Sequence, residues 1–242
     1  MADNPMTVLC ILPAFNEAGK IGRVVASALN SRQVDAVVVV DDASTDSTSD
    51  EARAAGGEVI RHQSNLGVGA AIRSGLHYGR DHGFVVAVIM SGDDQHEAAE
   101  LSGVLAPLRE GKADFVQGSR RLPGGKTVNG PLFREVTTRL FSMAFTVLSG
   151  RKITDGTNGF RAFFLAVLSD PDINLDQDWL DRYELEVYLL YKAVRSPRIR
   201  VVEAPVTVYY RGGTKQFSKM KPIRDWWRLV RPLIFLKLRW RR

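Results

Sequence analysis

The sequence predicts a doubly wound α/β domain with a short basic appendage, and three observations lead there. Short apolar, β-branched runs recur at 7–12 (TVLCIL), 36–40 (AVVVV) and 84–90 (FVVAVIM), with weaker runs at 57–60 and 114–117. Stretches of helical periodicity separate them, at 17–32, 46–55, 68–82 and 97–110. Unbroken apolar strands alternating with helices mean strands buried on both faces, hence a mostly parallel sheet between two helical layers. The third observation is size: 242 residues with 45% apolar content suffice for one large domain.

In such a sheet, ligands bind outside the carboxyl ends of the strands. Three segments directly follow a predicted strand and would line that edge: PAFNE (13–17), DDASTD (41–46) and SGDDQ (91–95). In the second, Ser44 or Thr45 can cap the helix that Asp46 opens. Beyond residue 120 the pattern loosens. RRLPGGKTVNGP (120–131) reads as a Gly/Pro-rich loop, and a helix is expected over 131–149. TDGTNGF (154–160) reads as a turn before another short helix, 182–195 shows helical spacing, and 199–210 reads as extended, with Pro205 favouring an edge or bulge.

Composition narrows the chemistry. A single cysteine, Cys10, rules out an intrachain disulfide and a cysteine-rich zinc motif. The four histidines lack H-x-x-x-H and H-E-x-x-H spacing, and no G-x-S-x-G elbow occurs, so zinc-enzyme and serine-hydrolase readings lose their support. No run approaches the roughly 18 to 20 apolar residues of a spanning helix. We therefore expect a chain that is soluble or lies on a membrane. Charge is distributed unevenly: residues 211–242 hold eleven Lys or Arg against Asp225, a balance of +10, which leaves −4 of the total +6 for the first 210 residues. That end is built to meet an anionic surface.

For SGDDQH, carboxylates at a strand end beside Gly92 can hold a magnesium or manganese ion while it bridges ligand phosphates, since such ions fill most positions with water and phosphate oxygen. The alternative is a solvated turn capping the helix that starts near Glu97. NLGVGAAIRSGL (65–76) joins glycines to a helix start, which can cradle phosphate or simply relieve a tight loop. Glu184 and Glu186 point to different faces of their helix, so at most one faces a cleft. The tail mixes Trp226, Trp227, Leu229, Val230, Leu233, Ile234 and Leu236 with Arg224, Arg228, Arg231, Lys237 and Arg239. A basic, aromatic amphipathic helix of this kind fits a bilayer interface; the competing reading is a helix packed on its own domain, with Pro232 kinking it or beginning a second one. No nucleic-acid-binding module accompanies the charge, so nucleic acid is not an expected partner.

Taken together, LPAFNEAGKI, VVVVDDASTDST, NLGVGAAIRSGL, MSGDDQH, VQGSRR, DGTNGFRAF and VEAPVTVYYRGGTKQFSKM occur in the order and approximate spacing of glycosyltransferase family 2. The chain most resembles the polyprenyl-phosphate or dolichyl-phosphate sugar synthase branch. That resemblance implies a GT-A fold, an α/β nucleotide-sugar-binding sandwich with a mixed sheet, over residues 1–212, followed by a membrane-surface segment at 213–242. It implies that Pro13, Phe15, Glu17, Asp41 and Asp42 hold the nucleotide base and ribose, and that Arg73, Ser91 and Gly92 lie near the donor. Asp93 and Gln95 match the metal-binding D-x-D-x-Q pattern, with Ser91 in place of its first aspartate. Arg120 and Arg134 match the pair that receives the sugar or acceptor phosphate, Asp155 and Arg161 the acceptor-side turn, Glu186 a glutamate on the following helix, Arg211 the arginine reaching the donor diphosphate, and Ser218 and Lys219 a mobile end.

The implied activity is inverting transfer of a hexose from a nucleotide diphosphate sugar, of the GDP-mannose or UDP-glucose type, to a polyprenyl or dolichyl phosphate, dependent on Mg²⁺ or Mn²⁺. The implied location is cytoplasmic, peripheral at the inner face of the membrane. Two alternatives stand beside it: transfer to a hydroxyl of a soluble acceptor, and a non-catalytic nucleotide-sugar-binding membrane scaffold.

Overall fold

The computed structural model describes residues 6–211 and 222–238. β1 (Val8–Ala14) lies in the interior of a seven-stranded sheet, and α1 (Ile21–Asn30), β2 (Ala36–Asp41), α2 (Thr48–Ala54), β3 (Glu58–Arg61), α3 (Val68–Asp81) and β4 (Val86–Ile89) follow it. Then come α4 (Leu101–Arg109), β5 (Phe115–Ser119), β6 (Lys126–Val128), α5 (Leu132–Ser149), β7 (Arg161–Phe164), α6 (Glu184–Arg195), β8 (Val201–Pro205), β9 (Thr207–Tyr209) and α7 (Pro222–Lys237). The strand order is β3-β2-β1-β4-β7-β5-β8, and β6 pairs with β9 in a separate two-stranded ribbon. All pairings are parallel except those of β7, which runs against both β4 and β5.

The period-2 alternation of β1 explains the two layers. Leu9 and Ile11 enter a core shared with α3 and α6, while Val8, Cys10 and Leu12 enter one shared with α1 and α4. Fully burying each such side chain stabilises by roughly 1.5 to 3 kcal/mol. Cys10 is wholly enclosed, and burial pushes its thiol up to about 12, so it packs as an inert apolar group.

The predicted strands and helices recur within a few residues of their expected bounds, with one exception that matters. RAFF (161–164) is a strand, not a helix, and a short 3-10 helix follows at Leu165–Ser169. Because β7 is antiparallel, its first residue, Arg161, pairs with Ile89 at the carboxyl end of β4 and with Gln117 in the middle of β5, and the chain before it runs toward the carboxyl ends of both. The turn at 154–160 is thereby delivered to the same edge as the three segments named above.

Pro131 precedes α5 with a φ of −65°, and Gly150 ends the helix in the left-handed region at φ 72°. The C-terminal helix packs on its own domain: Leu229, Leu233 and Leu236 are buried in the core cluster that includes residues of α5 and α6. Two of its arginines turn inward too, Arg231 to Glu184 at 2.5 Å and Arg228 to the same carboxylate at 3.8 Å. Pro232 lies within one continuous helix. Among the described residues, no helix is long and apolar enough to cross a membrane.

Candidate active site

PAFNE and DDASTD meet at the carboxyl end of β1 and β2 and are laced together. The Asn16 N–H donates to Ser44 Oγ at 2.9 Å, the Thr45 N–H to Asn16 Oδ1 at 2.8 Å, and the Glu17 N–H to Thr48 Oγ1 at 2.8 Å. Asp41 and Asp42, expected to hold the base and ribose, are buried at this edge and bonded within the chain. Asp41 is fully buried and accepts from the Ser44 N–H at 2.8 Å and from Ser49 Oγ. Asp42 accepts from the Leu66 and Gly67 N–H groups at 2.8 and 2.7 Å and faces His62 Nδ1 at 2.8 Å. In this arrangement both carboxylates shape the edge.

The same bonds engage much of the NLGVG loop within the chain. Its N–H groups at 66 and 67 serve Asp42, and the Ala70 N–H donates to the Asp181 carbonyl at 2.9 Å. Gly67, at φ 119°, lets Asp181 and Arg182 approach where any Cβ would collide. Arg73 is correspondingly drawn away from the donor edge and pairs with Asp181 at 2.6 Å.

The turn after β4 answers the metal question in part. Asp93 Oδ1 accepts from Ser91 Oγ and from the Gln95 N–H at 3.2 Å, while Asp93 Oδ2 has no protein partner among the described residues. His96 is buried beneath: Nδ1 accepts the Ser91 N–H at 3.0 Å and the ring packs on Phe160 at 5.0 Å. Burial, aided by the charge of Arg120, lowers its pKa to about 4, so it pins the turn as a neutral ring. Gly92 fits because a Cβ there would lie 2.9 Å from the Pro13 carbonyl oxygen. Asp94, at φ 66°, is held by Arg211 at 3.0 Å and Arg23 at 3.4 Å, and Arg211 also pairs with Glu97 and lies over the Tyr209 ring at 4.9 Å. Among the described residues no group of three or more His, Cys, Asp or Glu could hold a metal. Among the described residues this turn offers the carboxylates of Asp93 and Asp94 and the Gln95 amide, a sparse oxygen donor set that fits a hard cation completed by diphosphate oxygens.

A cleft of about 580 Å³ is lined by Arg120, Arg121, Lys126, Arg134, Arg139 and Tyr210, among others, and is joined to this turn through Tyr209, whose N–H donates to the Gln95 carbonyl at 2.9 Å. Five cationic side chains face one carboxylate of the lining, Glu135. The expected acceptor contact Asp155 is instead wholly buried below, where Arg120 Nε and Nη2 donate to its two oxygens at 2.6 and 2.8 Å and Arg121 pairs at 3.1 Å. Burial works to raise that carboxyl, but the bonds and charges of the arginines prevail and hold it below its ordinary range. Asp155 thus aims the arginines. Arg134, on α5, donates to Tyr210 Oη at 3.4 Å, with its guanidinium 5.7 Å from the ring centre.

Arg161 is likewise removed from direct contact, being 1% exposed and donating to the carbonyls of Glu186 and Asn158, both at 2.8 Å. Glu186 lies 3.5 Å from it, and burial raises its carboxyl pKa, partly offset by Arg161. Sequence reasoning overlooked Arg121, Lys126, Arg139 and Tyr210. The RR doublet was the available signal for Arg121; Lys126 and Tyr210 become neighbours only when β6 pairs with β9, and Arg139 is brought in on α5. It also missed Glu203, whose carboxylate accepts the Thr154 and Asp155 N–H groups at 2.9 and 3.0 Å and shapes the turn. Ser218 and Lys219 lie outside the described residues.

The model of glycosyl transferase family 2 matches residues 9–170. An undecaprenyl-phosphate mannosyltransferase of Micrococcus luteus is 33% identical over 207 residues, covering 84% of this chain and 83% of that protein. The chain belongs to glycosyltransferase family 2. A polyprenol monophosphomannose synthase of Mycolicibacterium smegmatis is 32% identical over 217 residues, covering 85% and 80%. The fold matches glucosyl-3-phosphoglycerate synthase from Mycobacterium tuberculosis, crystallised with Mn²⁺, UDP-glucose and phosphoglyceric acid, at a TM-score of 0.69 and 17% identity over 96% of this chain and 80% of that one. This family 2 member is a nucleotide-sugar-dependent glycosyltransferase of the polyprenyl-phosphate sugar synthase-like branch, with a GT-A fold.

Proposed function

We propose that the enzyme moves a hexose, with inversion, from a nucleotide diphosphate sugar of the GDP-mannose or UDP-glucose type to a polyprenyl or dolichyl phosphate at the cytoplasmic face of a membrane. The observation that carries this reading is the cleft of five cations joined to the Ser91–Gln95 turn through Tyr209. A bare carbohydrate acceptor does not call for that charge; a phosphate monoester does. The named activities of the bacterial relatives support the same acceptor class.

In this reading, Arg120 and Arg134 hold the acceptor phosphate so that one of its oxygens faces the anomeric carbon. That oxygen forms the new bond, and the bond from the anomeric carbon to the donor phosphate oxygen breaks, its electron pair leaving with the nucleoside diphosphate. No proton need move, because the nucleophile is already anionic near neutral pH. Asp93 and Gln95 would hold Mg²⁺ or Mn²⁺, which when bound supplies charge neutralisation at the diphosphate. Arg211, poised on Asp94 and Glu97, supplies a further positive group at the same place. Pro13, Phe15 and Glu17 border the nucleotide. Residues 1–212 carry the chemistry, and the basic segment 213–242 adds positive charge toward an anionic membrane surface, while the apolar side of α7 stays packed on the domain.

The test is a panel of radiolabelled nucleotide sugars with a polyprenyl phosphate and purified protein. Label entering the lipid phase is expected; nucleotide release with label never reaching lipid would reject the acceptor. One observation favours a second reading, transfer to a hydroxyl of a soluble acceptor: Glu186, with its raised carboxyl pKa, has the character of a general base.

A further inference from the structure

Helix α5 is built inside out. Its buried face carries Thr138, Phe141, Ser142, Phe145 and Ser149, three of the five polar. Its solvent side presents Leu132, Phe133, Val136, Leu140, Met143 and Val147, each 49 to 76% exposed. At about 100° per residue these six fall within a single arc of roughly 100°, opposite the buried face. Such a stripe exposes an area on the order of several hundred Å², at or above the largest contiguous apolar patch of an ordinary soluble monomer.

Charge decides among occupants. The sole acid of the helix is Glu135, which Arg139 neutralises at 2.6 Å. Cations stand at both ends of the stripe: Arg134 and exposed Lys126 at the start, exposed Arg151 and Lys152 just past Gly150. A second copy docking by a two-fold axis through this face would set cation against cation. An anionic leaflet receives an apolar stripe and its basic ends together.

We propose that the outward face of α5 is a membrane-seating surface, inserted at the boundary of acyl chains and anionic headgroups. It rests on the proposed acceptor and gives that reading an orientation, for the cleft at the N-terminal end of α5 would then open at headgroup level, where a lipid phosphate lies. The C-terminal helix, in contact with α5, adds exposed Trp227 and Leu238. Its apolar core side, in contrast, is committed to the domain.

The test is flotation of the full chain with vesicles of phosphatidylcholine and phosphatidylglycerol, without nucleotide sugar or polyprenyl phosphate. Wild type should float with the vesicles. A Leu140→Gln, Met143→Gln, Val147→Gln variant should lose on the order of tenfold or more in partitioning, with an unchanged melting transition because all three side chains are exposed. The variant floating as well as wild type would overturn the proposal. So would failure of wild type to float, or a wild-type dimer in sedimentation that the variant abolishes. Because the assay contains neither substrate, the two readings fail separately. Vesicle binding lost in the variant, with no transfer to any polyprenyl phosphate, would refute the acceptor and keep the surface; lipid transfer with variant-insensitive flotation would do the reverse.

Discussion

At the edge formed by β1, β2 and β4, polar groups are largely held by others of the same chain: Asp41 by Ser44 and Ser49, Asp42 by Leu66 and Gly67, Asn16 by Ser44 and Thr45. Below α5 the balance differs. Arg120 and Arg121 are supported from beneath by Asp155, and with Lys126, Arg134 and Arg139 they surround an open volume of about 580 Å³. The first region is a preshaped surface, its polar groups already bonded within the chain. The second is an electrostatic receptacle whose charge exceeds its internal compensation. In the proposed reading, the contrast teaches where binding free energy should reside: in shape at the edge that takes the donor, in charge at the cleft that takes the acceptor phosphate.

The largest expected effect is at the junction of the two regions. Asp93→Asn should lower kcat by roughly 100- to 1,000-fold while the melting transition stays within a few degrees, since the change weakens stabilisation of charge developing on the leaving diphosphate. Steady-state kinetics with Mn²⁺ titration measures it, and near-normal turnover would sink the donor-side assignment. Next comes the receptacle itself. Arg134→Ala should raise the acceptor KM on the order of 10- to 100-fold, the scale of one lost charge-assisted hydrogen bond, with the donor KM little changed. An effect confined to the donor would erase the contrast between the regions.

The two regions also differed in how far they could be read from sequence. β1, β2 and β4 were plain because burial on both faces leaves no polar interruption, and the segments after them were placed by strand direction alone. The acceptor side depended on β7, whose four residues, RAFF, carry too little pattern to separate strand from helix. Without its antiparallel pairing nothing brings Asp155 and Arg161 to the edge. Even the family resemblance, which named them, did not tell that both are buried and paired with Arg120, Arg121 and Glu186. Arg73 shows the same limit: its motif was visible, but its partner Asp181 is 108 residues away. The α5 stripe reads as an ordinary amphipathic helix until its buried face is known.

His96 joins the regions from below, and its pH dependence probes the junction without touching a ligand. Its folded-state pKa of about 4 lies below the ordinary 6.5, so the unfolded chain binds more protons between those values. Stability contributed here is full above pH 6.5 and falls as the pH drops toward 4. Between pH 7 and pH 5 the loss should be roughly 1 to 2 kcal/mol, about a tenfold change in the folding equilibrium. Urea titrations at the two pH values measure it. His96→Asn, which keeps an acceptor for the Ser91 N–H but does not titrate, should flatten the difference; an equal pH slope in that variant would assign the acid sensitivity elsewhere.

The smallest expected effect is the most discriminating. If the acceptor-side charge is there to position an anionic nucleophile, no side chain has to take a proton, and Glu186→Gln should change turnover on a polyprenyl phosphate by no more than a few-fold. A hydroxyl nucleophile would demand a base, and loss of that base typically removes about 100- to 10,000-fold. Glu186 is suited to be misread, because burial lifts its carboxyl pKa as it would for a catalytic base, yet its neighbour Arg161 gives it a structural occupation. Removing its charge relieves one desolvation cost but leaves the buried Arg161 guanidinium less compensated, so the variant should be less stable than wild type at neutral pH, measured by its urea midpoint. A variant that folds normally but is inactive on every acceptor would transfer the chemistry to Glu186 and turn the arginine receptacle into a binding site for a phosphate that does not react.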